Sequence, residues 1–153
     1  MGGAMEDQME EGSKFVVQAA SGGMMEVELG SLAEKNASDA EVKAFGKRMV
    51  ADHGKANEEL KSLAAAKNIT LPTAPGEDHQ KHIADLSALT GAKFDKQYVD
   101  MMVKDHQEDI NLFEEATKDT ELDPDIKAFA QKTLPTLKEH HDLAKKLDAR
   151  INK

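Results

Sequence analysis

The chain has 153 residues, the length of one domain, and its 29 Asp and Glu outweigh 20 Lys and Arg to give a formal net charge of −9. This charge argues against nucleic-acid binding, which requires clustered basic residues. Because there is no cysteine, a disulfide framework and a thiolate metal site are excluded, and no apolar run approaches the roughly 18 residues of a membrane span.

The composition favours an all-α fold with an aliphatic core. Ala, Leu, Lys, Glu and Met are abundant, β-branched runs are absent, and aromatic residues make up only 4% of the chain. The first residues are rich in Gly, Met and Glu, and we expect residues 1–12 to form a disordered N-terminal segment. The folded domain would then span residues 13–153.

The first long helix is predicted over about 13–36, with Ser13 as its N-cap. Apolar residues recur along it at spacings of three and four, and Glu26 interrupts this inward stripe. Gly22 and Gly23 each cost about 1 kcal/mol inside a helix. Their presence indicates close packing against a neighbouring helix or a local bulge.

The second long helix is predicted over about 39–67. It follows Ser38, which forms a capping box with Glu41, and His53 lies in its inward stripe. Two prolines beyond residue 70 prevent the helix from continuing.

A long connection separates the second long helix from the third, and residues of about 77–89 are predicted to form a short helix within it. His79 and His82 lie three residues apart near its start. We expect this short helix to be exposed, with a weak surface metal patch as the alternative.

The third long helix is predicted over about 92–118, with His106 in its inward stripe. The fourth is predicted over about 124–151, with Asp123 as its N-cap and a proline in the first helical position. A second proline inside this last helix should kink it shortly before His140, which also lies in the inward stripe.

These four amphipathic helices predict a ferritin-like four-helix bundle with a long B–C crossover that contains the short helix. Short turns join the first helix to the second and the third to the fourth, so each pair is antiparallel. The long connection can run the full length of the bundle, which leaves the second and third helices parallel.

One polar side chain interrupts each inward stripe, and each lies near the middle of its helix, so all four fall at one level. Three imidazoles and one carboxylate are a suitable ligand set for one divalent transition metal, with Zn, Cu or Fe as the first choices. The alternative is a metal-free hydrogen-bonded network that fixes helix register. The predicted metal ligands are Glu26, His53, His106 and His140.

Two aspartates directly precede inner histidines, Asp52 before His53 and Asp105 before His106. Adjacent helical residues point roughly 100° apart, so these carboxylates are either solvated or orient an imidazole of a neighbouring helix through its free ring nitrogen. Asp109 could do the same or act as a further ligand.

A di-iron carboxylate centre is not predicted. Such a centre uses Glu-x-x-His on two helices and a glutamate from each of the others. Val50 and Val103 stand where those glutamates would precede His53 and His106, and Glu26 is the one inner carboxylate. A mononuclear site fits the residues better.

A set of short motifs runs from about Phe15 to Leu147: Phe15-x-x-x-Ala19, residues 26–30, the Met-x-x-Asp-His sequence at 49–53, residues 89–95 with Tyr98, Asp105-His106, and residues 134–137 with His140. In these motifs the chain resembles the domain-of-unknown-function 4142 family (DUF4142) of exported bacterial proteins. The resemblance implies a ferritin-like four-helix bundle and a periplasmic or secreted location, often after a signal peptide or lipoprotein anchor. The chain lacks such a segment, so we expect a mature or trimmed form.

Our first hypothesis for function is an exported metal-binding protein with one mononuclear His/Glu site, which serves metal handling or envelope stress. The alternative is a metal-dependent redox or hydrolytic enzyme on the same site, although no catalytic residue is identified. The second alternative is a structural or interaction bundle with a metal-free buried polar network. The sequence predicts a metal ion as partner, and neither nucleic acid nor a transmembrane segment.

Overall fold

The computed structural model describes the backbone of residues 3–153 and the side chains from residue 11 onward. Over this part of the chain the fold is all-α, with five helices and no strand. The helices are α1 (Gly3–Asn36), α2 (Ala40–Ala66), α3 (Glu77–Ser87), α4 (Gly91–Lys118) and α5 (Pro124–Ile151).

The start of α1 differs from the sequence-based expectation. The structure is helical from Gly3, whereas we expect disorder over 1–12 and a helix start at Ser13. The residues in between are mainly Ala, Met, Glu and Gln, which are strong helix formers and can extend a helix whose later turns are buried. Residues 1 and 2 lie outside the described part of the chain.

The four long helices contact one another in a ring. α1 packs along α2 and α4 along α5, while α1 also contacts α4 and α2 contacts α5. The short α3 lies in the long connection between α2 and α4 and packs against α1 and α4. Its Leu86 is fully buried, so α3 is attached to the core rather than exposed on all sides.

The buried side chains form two apolar clusters with a polar layer between them. One cluster includes Met49 and Met102, and the other includes Leu60 and Phe113. Each long helix contributes to both clusters, and it passes from one to the other at or next to the polar residue of its stripe. We call these four buried residues the polar layer: Glu26, His53, His106 and His140.

The turn between α1 and α2 is held by different contacts from those predicted. Asp39 is the N-cap of α2, since its Oδ1 accepts hydrogen bonds from the N–H groups of Glu41 and Val42 at 2.9 and 3.2 Å. The predicted capping box of Ser38 with Glu41 is therefore wrong. The hydroxyl of Ser38 donates instead to the buried Asp95 of α4 at 2.6 Å, and Asp95 also accepts the N–H groups of Ser38 and Asp39.

α1 and α2 approach each other closely at Gly30 and Gly46. A Cβ on Gly46 would lie 2.7 Å from the carbonyl oxygen of Gly30 and 2.6 Å from the Cβ of Ala33. Because these neighbours are backbone or backbone-fixed atoms, no side-chain rotation can relieve the contact. At Gly23, by contrast, an added Cβ would meet the flexible side chain of Asn57.

We predict that Gly46→Ala destabilises the protein by about 1–3 kcal/mol, because overpacking against backbone outweighs the gain in helix propensity. Gly54→Ala in the same helix is the matched control: a Cβ there meets nothing within 4 Å. This control should stabilise the protein by about 0.5–1 kcal/mol. Urea unfolding of the two variants checks this, and equal changes in their free energies of unfolding would contradict the close approach.

A second prediction concerns the α2 N-cap. Asp39 caps the helix and also accepts two hydrogen bonds of 2.9 Å from Arg150 near the end of α5. Asp39→Ala removes the cap and should cost about 1 kcal/mol. Asp39→Asn keeps an equally good cap and loses only the exposed ion pair, so it should cost clearly less. Chemical denaturation of both variants distinguishes the two contributions, and an equal loss would mean that the ion pair and not the cap matters.

Candidate metal centre

Three histidines from α2, α4 and α5 meet inside the polar layer. The ring centroids of His53, His106 and His140 lie 5.2 to 5.7 Å apart. One nitrogen from each ring lies within 4.8 Å of the chosen nitrogens of the other two. We call these three residues the histidine triad. They meet because each replaces an apolar residue in the core stripe of its helix.

The tautomer of His106 is fixed by the backbone of its own helix. Its Nδ1 lies 2.9 Å from the carbonyl oxygen of Met102, and a carbonyl can only accept, so Nδ1–H donates. The other nitrogen, Nε2, then carries a lone pair and no proton in the neutral ring. Nε2 is buried without a hydrogen-bond partner among the described residues.

The orientation of His140 is fixed by an aspartate on a neighbouring helix. Its Nε2 lies 2.8 Å from Oδ2 of Asp52 and donates to it, which leaves the lone pair on Nδ1. Nδ1 is also buried without a hydrogen-bond partner. This is the kind of contact expected of a carboxylate that aligns a metal-binding imidazole.

Asp52 connects the triad to the surface. About a third of its side chain is exposed, and it also accepts a hydrogen bond of 3.2 Å from Arg48, which in turn pairs with Glu139. Burial alone would raise the pKa of Asp52, but the hydrogen bonds from His140 and Arg48 lower it. Asp52 is therefore a stable anion beside the buried ring. Its outer side lines a cavity of about 290 Å³ between α2 and α5.

Burial keeps the triad neutral. It lowers the pKa of His53 well below the usual value, and the neighbouring rings of His106 and His140 lower it further. Burial likewise lowers the pKa of His106 to about 3, with a further contribution from His140. The pKa of His140 is lowered mainly by burial, against the opposing effect of Asp52. Neutral imidazole is the form that binds a metal ion.

Glu26 completes the polar layer from α1, but it approaches only one ring. Its Oε2 lies 4.0 Å from Nε2 of His106, and both side chains are fully buried. Neither carboxylate oxygen has a hydrogen-bond partner among the described residues. Burial raises the pKa of Glu26 well above its usual value, and the charges of Asp109 and Asp105 raise it further. The histidines thus form the compact group, and Glu26 stands at its edge.

Asp105 and Asp109 of α4 lie close enough to Glu26 for their charges to raise its pKa. Asp105 does not repeat the role of Asp52: its Oδ2 faces Nδ1 of His82 on α3, at 3.9 Å. Burial raises the pKa of Asp105 to about 6 against the effect of His82. Burial, with the charges of Asp105 and Glu108, raises the pKa of Asp109 to about 7. The two copies of the Asp-His sequence therefore use their aspartates differently.

The histidines of α3 are less exposed than the sequence pattern indicates. His79 and His82 are half-buried rather than exposed, and Oγ of Ser21 on α1 lies 2.6 Å from Nδ1 of His79. The sequence could have indicated their partial burial, because both histidines lie on the same helical face as the apolar Leu86, which is buried.

Comparison with known proteins agrees with an all-α fold of this kind. Residues 2–147 match the family described as a domain of unknown function, DUF4142, and the chain belongs to this family. No curated protein sequence matches it.

Two solved structures share the fold. A DUF305 fragment from Deinococcus radiodurans has a TM-score of 0.79 at 11% identity, over 92% of this chain and 96% of its own. A DUF305 protein from Streptomyces coelicolor, described as secreted, has a TM-score of 0.77 at 12% identity, over 93% of this chain and 94% of its own. At such identities the likeness concerns the fold alone.

Among the helices of the described residues, none is both long enough and apolar enough to cross a membrane.

We predict that Glu26→Gln stabilises the metal-free protein increasingly as the pH rises above about 4.5. Burial raises the pKa of Glu26 in the folded state well above its usual value of 4.5, so the folded state keeps this proton to a higher pH than the unfolded state does. Its contribution is therefore favourable below that pH and is lost as the carboxyl ionises. At pH 8 the gain should be about 1–3 kcal/mol, the cost of an unpaired buried group.

Urea unfolding in the presence of chelator at pH 5 and pH 8 measures this gain. Glu28→Gln, the same change at an exposed position of α1, is the control and should show little pH-dependent difference. A Glu26→Gln variant that is less stable than the wild type at pH 8 would mean that the carboxylate has a stabilising partner.

Proposed function

We propose that this protein binds one divalent transition metal ion in its polar layer, through His53, His106 and His140, with Glu26 as a fourth ligand. Zinc, copper and iron all accept imidazole and carboxylate together. The observation that carries this proposal is the set of unpartnered buried atoms. It comprises one nitrogen of each triad ring and both oxygens of Glu26.

A metal-free network accounts less well for these atoms. In such a network the buried ring nitrogens would pair with one another or with Glu26, because an unsatisfied buried polar group costs about 1–3 kcal/mol. Instead, Nδ1 of His106 donates to a backbone carbonyl and Nε2 of His140 donates to Asp52. The other nitrogen of each ring carries a lone pair and receives no hydrogen bond from a described residue. Converging lone pairs repel one another, and a cation removes that repulsion.

The spacing of the triad suits a metal after a small contraction. In a tetrahedral zinc site with Zn–N distances of about 2.0–2.1 Å, neighbouring nitrogens lie roughly 3.3 Å apart. The triad nitrogens lie within 4.8 Å of one another, so modest side-chain rotation closes the difference. Glu26, 4.0 Å from His106, can reach the fourth position by the same kind of movement.

We propose further that the ring of α1, α2, α5 and α4 is a ferritin-like four-helix bundle. The contacts of α1 with α2 and α4, and of α5 with α2 and α4, support this arrangement, as does the long crossover that carries α3. We also propose an exported, periplasmic or secreted location. Its support is the resemblance to exported proteins and the description of one structural neighbour as secreted.

Metal handling, in the envelope or under envelope stress, is the role we favour over catalysis. Catalysis needs an open coordination position that a substrate can reach, whereas the three rings are almost completely buried. The anionic Asp52 between His140 and the surface cavity suits passage of a small cation better than that of an organic substrate.

The test measures how much zinc raises the melting temperature of the full chain and of a His53→Leu variant. Zinc at 100 times its dissociation constant should stabilise the wild type by about 2.7 kcal/mol, which is roughly 5–10 °C for a chain of this size. In His53→Leu this shift should fall by more than half. His141→Leu, beside the triad in sequence but outside it in space, is the control and should keep the shift.

The behaviour of the metal-free variant separates the proposal from a structural network. If His53 has no partner, its replacement by an apolar side chain of similar size leaves metal-free stability unchanged or higher. A network would instead lose several kcal/mol, whether or not zinc is present. Zinc-independent destabilisation of His53→Leu, together with an absent zinc shift in the wild type, would disprove metal binding at the triad.

A further inference from the structure

A second group of polar side chains lies outside the triad, where α3 covers α1 and α4. None of its residues is a ligand in the metal site proposed above, and they come from three different helices. We call it the α3 cluster: Ser21 of α1, His79 and His82 of α3, and Asp105 and Asp109 of α4.

One half of the α3 cluster is the pair of Asp105 and His82. Oδ2 of Asp105 and Nδ1 of His82 are 3.9 Å apart, too far for a hydrogen bond. Both atoms are buried, and neither has a hydrogen-bond partner among the described residues. Asp105 as a residue is only 7% exposed. A buried carboxylate oxygen and the buried Nδ1 of a half-buried imidazole thus face each other across a gap that an ion can bridge.

The other half surrounds Gly22. A Cβ at this position would lie 3.6 Å from Oδ1 of Asp109 and 3.8 Å from Cε1 of His79, so the missing side chain leaves room between the two. Ser21 fixes the ring of His79 through Nδ1 at 2.6 Å and is itself held by the N–H of Gly76 at 2.7 Å. This leaves Nε2 of His79 as the nitrogen available to a ligand.

The charges around this cluster are not balanced by basic side chains. Glu26, Asp105 and Asp109 are close enough for their charges to repel. Within the described residues, Asp105 and Glu26 each lie about 4 Å from a histidine nitrogen, and no lysine or arginine forms an ion pair with any of the three carboxylates. Burial and this mutual repulsion favour the protonated carboxyls in the metal-free protein, and a bound cation would take the place of those protons.

We propose that the α3 cluster is a second divalent-cation site, with Asp105, Asp109, His82 and His79 as ligands. Glu26 lies 4.0 Å from His106 of the triad and close enough to Asp105 and Asp109 for their charges to raise its pKa, so it is near both proposed sites. Carboxylates and imidazoles together suit Zn²⁺ or Mn²⁺. The site does not require that the triad bind metal.

This second site is less compact than the triad. Among the described residues the triad alone brings three such ligand atoms within 4.8 Å of one another. The α3 cluster must therefore close on the ion, and α3 is the element that can move, because it is short and contacts only α1 and α4 to any extent. Cation binding should then hold α3 more firmly against α4.

The experiment counts Zn²⁺ equivalents bound by the full chain, by equilibrium dialysis with elemental analysis. We expect two in the wild type, one in the isosteric double variant Asp105→Asn/Asp109→Asn, and one in His53→Leu. Glu108→Gln, at an exposed position beside the cluster, is the control and should keep two. Amide hydrogen exchange of the wild type supplies a second measurement, in which Zn²⁺ should slow exchange in α3.

The outcomes separate the two proposals. If the wild type binds one equivalent that is lost in the double Asn variant and kept in His53→Leu, the second site stands and the triad proposal fails. If the single equivalent is lost only in His53→Leu, the triad stands and the second site is overturned. If the double Asn variant still binds two equivalents, the second ion is bound elsewhere on the surface and the second site is overturned. The second site is also overturned if Zn²⁺ does not change amide hydrogen exchange in α3.

Discussion

The structure depends on one constraint, which is that four polar side chains are buried at the same level between two apolar clusters. Each occupies a position that its helix could have filled with an apolar residue, and each divides the core stripe of that helix in two. An arrangement of this kind costs free energy unless the side chains share a partner. The positions of the apolar clusters, the hydrogen bond from His140 to Asp52 and the contact of His106 with Met102 all follow from this layer.

Much of this could be predicted from the sequence, because helical periodicity is a local property. The stripes through His53, His106 and His140 step by three and four without interruption, so their burial and common level follow from chain geometry alone. The N-cap at Asp123 could be predicted for the same reason, and its side chain accepts from Asp125 and Ile126 in the structure.

What the sequence could not supply were contacts between distant segments. Ser38 is a good N-cap by itself, but the buried Asp95, nearly sixty residues away, takes its hydroxyl, and the next residue caps the helix instead. The place of His79 and His82 likewise depends on how the crossover lies against α1 and α4. Asp52 and Asp105 have the same local sequence and different partners, which only the packing of α5 and α3 decides.

The close approach of Gly30 and Gly46 has a mechanical consequence. Where two backbones touch, the helices that carry them cannot slide or separate without losing the contact, so we expect α1 and α2 to move together. Glu26 and His53 lie on the α1–α2 pair, while His106 and His140 lie on the α4–α5 pair. If the polar layer opens, we expect a hinge motion between the two helix pairs. Because α3 contacts both α1 and α4, it connects the two pairs and restrains this motion.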